Sequence, residues 1–117
     1  MLPPSIGNRK RQVYEIVRVH VGAARAITSR QIGGMVGIPP RHVRRLIEEL
    51  IVEDEHGEIC ATTDEPPGYF WASCIEEAQE YMAVLDHRAQ MIYVRRQRVA
   101  RAIQRLPTGR PTQPVLL

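Results

Sequence analysis

Residues 28–47, TSRQIGGMVGIPPRHVRRLI, combine helix-capping residues, regularly spaced apolar residues and a glycine between two helical patterns. Thr28 and Ser29 belong to residue types that cap helix starts, and the apolar residues after them predict a short helix over residues 29–36. Gly37 ends that helix, because glycine readily adopts the positive φ that a sharp turn between helices needs. The stretch therefore predicts two helices joined by a glycine turn.

The second helix of this pair is predicted to begin at Pro39-Pro40 and to run to about residue 51. Proline in a first helical turn loses no hydrogen bond and presets φ. The apolar residues share one face of this helix: Val43, Leu46, Ile47 and Leu50. The basic residues lie elsewhere on its surface: Arg41, His42, Arg44 and Arg45. The helix is therefore amphipathic, with a basic outer surface.

The flanking segments predict a first helix and a β-hairpin. Asn8 is a candidate cap, and apolar residues at three- and four-residue spacings predict a helix over residues 9–22. Residues 58–63 and 69–72 are short β-prone runs, and the Asp-Glu-Pro-Pro-Gly segment 64–68 connects them. The predicted order is three helices followed by two strands.

A long helix is predicted after the hairpin. The segment Ser73–Glu76 matches a capping box, and no glycine or proline follows until Pro107. These signals predict a helix over residues 73–105. The last twelve residues contain three prolines and predict a mobile tail. The predicted organisation is a domain at residues 8–72, a long helix at 73–105 and a tail at 106–117.

Residues 28–47 resemble the helix-turn-helix of DNA-binding proteins at nearly every position. Gly33 is small where the two helices approach, and Gly37 lies at the turn. The apolar positions of the motif are Ile32, Val36, Ile38, Val43 and Leu46. The two strands that follow make the order similar to the winged-helix variant. The resemblance implies a mainly α fold with a small β-hairpin (α+β), a winged helix-turn-helix followed by a long C-terminal helix, which binds double-stranded DNA.

The candidate DNA-binding residues follow from the matching motif positions, because the second helix of such a motif enters the major groove. Base-edge contacts are assigned to Arg41, His42 and Arg45, and a phosphate or rim contact to Arg44. Pro40, at the helix tip, either packs on a thymine methyl or serves only as a helix-starting residue. The start of the preceding helix is a candidate phosphate site formed by Thr28, Ser29, Arg30 and Gln31.

Residues 8–105 also resemble, more loosely, small winged-helix proteins of phages and other mobile elements, through the run Pro66–Ala72 and the capped helix after it. This resemblance implies transcriptional or replication regulation of the element's own DNA. The wing departs from the pattern, since it carries Asp64 and Glu65 where wings that contact phosphates carry Lys or Arg. Two alternatives remain: a phage DNA-packaging protein similar to a terminase small subunit, and a winged helix that binds proteins.

Charge is distributed unevenly along the chain. Residues 1–51 carry nine basic and three acidic side chains, residues 52–87 ten acidic and no basic ones, and residues 88–117 seven basic and no acidic ones. Basic segments attract nucleic acid, and arginine, which supplies fifteen of the sixteen cations, suits bidentate contacts. Codon bias in a GC-rich genome explains the arginine content equally well.

The composition argues against several other classes of protein. No apolar run approaches the length of a membrane span, and the N-terminal residues do not resemble a secretion signal, so a cytoplasmic protein is expected. Cys60 and Cys74 lack metal-binding spacing and are expected to be reduced, partly buried thiols. No metal, cofactor or catalytic site is expected, so the chain is predicted not to be an enzyme. The aromatic run at residues 69–71 is assigned to core packing in preference to base stacking.

The predicted long helix carries an apolar stripe at heptad spacing, interrupted by Arg96. The stripe consists of Ala78, Met82, Leu85, Ala89, Ile92, Val99 and Ile103. An exposed stripe needs a partner, so a homodimer through the helix at 73–105 is predicted. Acidic residues occupy its first half and basic residues its second, which favours an antiparallel pair. Alternatively, the basic half lies along DNA or folds back on the acidic segment 53–58.

Overall fold

A computed structural model describes residues 6–111. The helices are α1 (Ile6–Val19), α2 (Ser29–Val36), α3 (Pro40–Val52) and α4 (Ile75–Ile103), and the strands are β1 (Ile27–Thr28), β2 (Ile59–Ala61) and β3 (Gly68–Trp71). A short 3-10 turn, Ala23–Arg25, precedes β1. The chain divides into two compact units, the first ending at Ala83 and the second beginning at Val84. The predicted class, mainly helical with a small sheet and a long C-terminal helix, is confirmed.

α1 begins earlier than the sequence predicts. The helix starts at Ile6, so Asn8 lies inside its first turn and is not the N-cap. Asparagine within a helix costs only about 0.7 kcal/mol relative to alanine, so a capping residue type alone does not fix where a helix begins. Val13 and Val17, one turn apart, are fully buried and place α1 against the core, as the predicted apolar face requires.

α1 also ends earlier than predicted, at Val19 and not at residue 22. The residues after it pair with the end of β3 instead of continuing the helix. The Trp71 N–H donates to the His20 carbonyl at 2.8 Å, and the Gly22 N–H donates to the Trp71 carbonyl at 2.9 Å. Gly22 has a φ of 92°, which a helix does not allow. Pairing with a distant strand therefore overrides the local helical pattern.

The three strands form one antiparallel sheet in the order β1-β3-β2. The sequence predicts only β2 and β3, which pair with Cys60 opposite Phe70. β1 was missed because it contains two residues and is defined by its pairing, with Ile27 opposite Tyr69 and Thr28 opposite Gly68. The small sheet is therefore a three-stranded sheet and not a two-stranded hairpin.

The loop between β2 and β3 comprises residues 62–67, so Gly68 belongs to β3 and not to the predicted turn. The ends of the loop are joined by two hydrogen bonds, from the Thr62 N–H to the Gly68 carbonyl at 2.8 Å and from the Gly68 N–H to Thr62 Oγ1 at 2.9 Å. A Cβ at position 68 would lie 2.8 Å from the Cβ of Ala26. Glycine is needed here because Ala26, the residue before β1, lies so close to the start of β3.

The core of the first unit lies between the first three helices and the sheet. Its buried residues are Val13, Val17, Ile27, Ile32, Val36, Val43, Leu46, Ile47, Leu50 and Ile59. The predicted apolar face of α3 is thus confirmed. In β3, Tyr69 and Trp71 pack against this core, and Phe70, on the opposite face of the sheet, is also buried. The assignment of the aromatic run to core packing is confirmed as well.

The turn between α2 and α3 has the predicted glycine geometry. Gly37 has a φ of 82°, and the carbonyl of Gly33 accepts hydrogen bonds from the N–H groups of Gly37 at 2.7 Å and Ile38 at 3.1 Å. The guanidinium of Arg9 donates to the Val36 carbonyl, which fixes α1 to the end of α2. The order α1-β1-α2-α3-β2-β3 is a winged helix-turn-helix-like arrangement.

The start of α4 is held by Glu77 and not by Glu76, the residue of the predicted capping box. Glu77 Oε1 accepts hydrogen bonds from the Ser73 N–H at 2.8 Å and the Ser73 hydroxyl at 2.6 Å. Its Oε2 accepts a hydrogen bond from the Ala23 N–H at 2.9 Å. The Ser73 hydroxyl and these two backbone donors stabilise the carboxylate and lower the pKa of Glu77.

Replacing Glu77 by alanine should therefore release the start of α4 from the segment before β1. Because the pKa of Glu77 is lowered by folding, its stabilising effect is present above the ordinary glutamate range and is lost as the pH falls through the lowered value. We expect Glu77→Ala to lower the melting temperature at pH 7 and to speed amide exchange at Ala23 and Ser73. The difference from wild type should narrow at acidic pH.

The matched control is Glu76→Ala, which removes a carboxylate from the same helical turn and should leave exchange at Ala23 and Ser73 unchanged. Equal effects of the two substitutions would show that the hydrogen bonds of Glu77 contribute nothing beyond its charge near a helix N-terminus.

The second unit contains the rest of α4, from Val84 to Ile103. Among the residues that the structure describes, no side chain of α4 is buried. Large apolar residues of this segment are exposed: Leu85, Met91, Ile92, Tyr93, Val99 and Ile103. Within residues 6–111, no helix is long and apolar enough to cross a membrane. Residues 107–111 of the predicted tail lie in neither helix nor strand, and residues 112–117 lie outside the described range.

Candidate nucleic-acid interface

The start of α2 and the N-terminal half of α3 lie together on the surface of the first unit. Nη1 of Arg44 donates a hydrogen bond to Oγ of Ser29 at 3.3 Å, which joins the two helices. Six of the eight predicted DNA-binding residues are exposed, namely Arg30, Gln31, Pro40, Arg41, Arg44 and Arg45, and the other two, Ser29 and His42, are half-buried. The eight predicted residues therefore form one surface, the α2–α3 surface.

Arg44 lies between the start of α2 and the sheet. Besides Ser29, it lies near Tyr69 of β3, where burial raises the pKa of the tyrosine hydroxyl and the guanidinium partly opposes that shift. A phosphate at the start of α2 would meet this guanidinium, the Ser29 hydroxyl and the backbone amides of the first helical turn. Tyr69 could not be predicted as a neighbour of Arg44 from the sequence, because only the folded chain brings β3 close to α3.

The start of α2 is fixed by a capping box between Thr28 and Gln31. Gln31 Oε1 accepts hydrogen bonds from the Thr28 N–H at 2.9 Å and the Thr28 hydroxyl at 3.2 Å, while the Gln31 N–H donates to Thr28 Oγ1 at 3.1 Å. The side-chain oxygen of Gln31 is thus already engaged. If Gln31 contacts a phosphate, the donor is its side-chain NH₂ group.

The start of α3 forms a shallow depression lined by Pro39, Arg41, His42 and Arg45. Arg41 and Arg45 are four residues apart, so their side chains project from the same side of the helix. Nε2 of His42 is buried and has no hydrogen-bond partner within the described part of the chain. Arg41 and Arg45 are therefore the long, exposed donors of this surface, and His42 lies mainly at the bottom of the depression.

The charge of α3 changes sign along the helix. Its N-terminal half carries the three arginines, and its C-terminal half and the next residue carry Glu48, Glu49 and Glu53. Lys10 of α1 forms ion pairs with Asp54 at 2.9 Å and Glu49 at 3.8 Å, and its hydrogen bond to Asp54 raises the pKa of the lysine. A polyanion would be attracted to the N-terminal half and repelled from the C-terminal half, which favours insertion of α3 by its N-terminal end.

The wing has no cation to offer a phosphate. Asp64 and Glu65 are exposed in the loop at residues 62–67, which contains neither lysine nor arginine. The departure from phosphate-contacting wings seen in the sequence therefore holds in the structure. The loop itself therefore gives a polyanion no cation to contact.

No family model matches this chain, and no curated protein or solved structure is detectably similar to it. Its similarity to winged helix-turn-helix proteins therefore depends on its own motif and its own arrangement of helices and strands. The motif and the arrangement both indicate that the α2–α3 surface is the candidate nucleic-acid interface.

Across residues 6–111, no group of three or more His, Cys, Asp or Glu side chains could hold a metal ion. Cys60 is buried, and burial together with the charge of Glu77 raises the pKa of its thiol, which makes it a weak nucleophile at neutral pH. Cys74 is exposed, so the prediction that both thiols are partly buried is wrong.

Proposed function

We propose that this chain binds double-stranded DNA sequence-specifically through the N-terminal half of α3. Arg41 and Arg45 contact base edges in the major groove, and Arg44 with Ser29 contacts the DNA backbone. The single observation that carries the proposal is the set of exposed arginines at the start of α3, one of which is hydrogen-bonded to Ser29 at the start of α2. The change of charge along α3 orients the helix toward the groove.

We also propose a role in regulation and a dimeric assembly. The resemblance to small winged-helix proteins of phages and mobile elements favours regulation of transcription or replication. The exposed apolar side chains of α4 favour a homodimer formed through that helix. Two copies related by a two-fold axis would bind two half-sites, so the target should be a pseudo-palindrome.

The test is selection of duplexes from a random-sequence library by the full-length chain, followed by anisotropy titration of the selected and a scrambled duplex. We expect a common, two-fold symmetric motif among the selected duplexes. Affinity for the selected duplex should fall by about 10- to 100-fold between about 50 and 200 mM salt, because binding releases counterions from a few phosphates.

Two other outcomes would redirect the proposal. Absence of any duplex binding at low salt would reject it and favour a protein-binding winged helix, which the acidic wing at Asp64 and Glu65 would suit. Binding by a ring of many copies would favour a DNA-packaging assembly protein of the terminase small-subunit kind. Sedimentation analysis separates this assembly from a dimer.

A further inference from the structure

The apolar stripe that the sequence predicts on α4 extends further at both ends, and we call the whole row of heptad positions the seam. Ile75 precedes Ala78 by three residues, and Leu106 follows Ile103 by three, so both continue the alternating spacing. The helical hydrogen bonding reaches Leu106, whose N–H donates to the Ala102 carbonyl at 3.0 Å. The seam thus consists of Ile75, Ala78, Met82, Leu85, Ala89, Ile92, Arg96, Val99, Ile103 and Leu106.

The large side chains of this seam lack a cover within the described chain. Ile75 is 72% exposed, Ile92 and Ile103 are each 65% exposed, and Met82 and Val99 are more than half exposed. Side chains at heptad spacing form one continuous stripe along a helix. Such a stripe on a soluble protein marks a surface that another apolar surface covers.

We propose that a second copy of this chain covers the seam, with its α4 antiparallel and in the register that places residue 89 opposite residue 92. In this register the pairs across the interface are Ile75 with Leu106, Ala78 with Ile103, Met82 with Val99, Leu85 with Arg96 and Ala89 with Ile92. The seam residues alternate between the two core positions of a heptad, a and d. Every pair joins an a residue of one copy with a d residue of the other, as antiparallel coiled coils require. The two alanines of the seam each face a large side chain. The seam of one copy is therefore complementary to the seam of a second copy that runs in the opposite direction.

Charge supports the same orientation. The first half of the helix carries four carboxylates, Glu76, Glu77, Glu80 and Asp86, and its second half carries Arg95, Arg96, Arg98 and Arg101. An antiparallel pair brings these halves together, whereas a parallel pair places like charges side by side. The antiparallel register also places Arg88 beside Arg95 of the second copy, and this unfavourable pair offsets part of the complementarity.

Arg96 decides between the orientations, because it is the only charged residue of the seam. In a parallel pair the two copies of Arg96 would face each other within the apolar interface. In the antiparallel register Arg96 lies opposite Leu85 of the second copy, and the adjacent Asp86 of that copy is within reach of a long guanidinium side chain. The register thus pairs the one seam cation with a carboxylate.

Disulfide crosslinking in a Cys74→Ser background tests the register, because Cys60 is buried. We expect Met82→Cys/Val99→Cys to form an intermolecular disulfide under mild oxidation and Met82→Cys alone to form none. In the proposed register the two copies of residue 82 are about 25 Å apart, far beyond disulfide reach, while residues 82 and 99 face each other. Crosslinking of Met82→Cys alone, or of neither variant, would overturn the register.

Sedimentation equilibrium without DNA tests the dimer itself. Ile92→Asp should weaken dimerisation by at least about 100-fold, since it loses apolar burial at two symmetric places. Met91→Asp is the matched control, because Met91 is also an exposed apolar residue of α4 but lies outside the seam, and its dimer should persist. A monomeric wild type at tens of micromolar would reject the proposal, whatever the result of the DNA-binding test.

A charge exchange tests the contact of Arg96. Asp86→Arg and Arg96→Asp should each weaken the dimer several-fold, and the double variant should restore it. In a parallel pair residues 86 and 96 lie ten residues apart, so the exchange would restore nothing. Failure of the double variant to recover would therefore remove this contact from the proposed interface.

Discussion

Gly33→Ala should destabilise the first unit by about 3 kcal/mol, which corresponds to a fall in melting temperature of roughly 15 °C. A Cβ at position 33 would lie 2.5 Å from the carbonyl oxygen of Ile38. That oxygen belongs to the backbone of the turn, so it cannot rotate away as a side chain would. Relief requires α3 to move from α2, which loosens the packing of Ile32 and Val43. Thermal unfolding followed by circular dichroism measures the change.

Gly34→Ala is the matched control, since it makes the same substitution at the next residue of the same helix. A Cβ at position 34 meets no atom within 4 Å, and its backbone φ lies outside the positive range. Alanine there should stabilise the protein by between about 0.4 and 1 kcal/mol, because it restricts the unfolded chain and favours helix. Opposite signs at the two positions are the expected result. If Gly33→Ala proved neutral, the close approach of the two helices would not be a constraint on the fold.

The helix-turn-helix itself was predictable because its signals are local. The Thr28 cap, the Gly37 turn and the proline start of α3 each act within one helical turn, and α2 lies where the sequence predicts it. The small residue at Gly33 was also predictable, because it is a position of the motif. Local chemistry thus sufficed for the elements that carry the candidate site.

The features that the sequence missed depend on contacts between distant residues. β1 exists because Ile27 and Thr28 pair with β3, and α1 ends at Val19 because β3 binds the residues after it. Glu77 holds the Ala23 amide across 54 positions of sequence. No local pattern encodes such pairings, since they are settled by the packing of the whole unit.

The same distinction applies to the candidate site. The arginines of α3 were visible as a basic surface of an amphipathic helix. The bond between Arg44 and Ser29, the approach of Tyr69 and the burial of His42 Nε2 depend on the angle between helices and on the sheet. The structure therefore distinguishes the exposed donors of the motif, Arg41 and Arg45, from His42, which is partly buried at the bottom of the depression.

Arg41→Ala/Arg45→Ala should reduce affinity for a selected duplex by at least about 30-fold. Each good bidentate contact with a base contributes on the order of 1–3 kcal/mol of discrimination, and a tenfold change in affinity is about 1.4 kcal/mol. Both guanidiniums line the same exposed depression at the start of α3. The loss should be much smaller on a scrambled duplex, because base contacts specify sequence and phosphate contacts do not. Anisotropy titration of the two duplexes measures the difference.

The charge-matched control is Arg11→Ala/Arg18→Ala, which removes two cations from α1, outside the α2–α3 surface. A loss of affinity equal to that of the α3 variant would mean that only net charge matters. Arg44→Ala provides the complementary result, because a backbone contact should weaken both duplexes alike and lower the slope of log affinity against log salt by about 0.9. Sequence-selective loss at Arg41 and Arg45, combined with uniform loss at Arg44, is the pattern that only an inserted α3 produces.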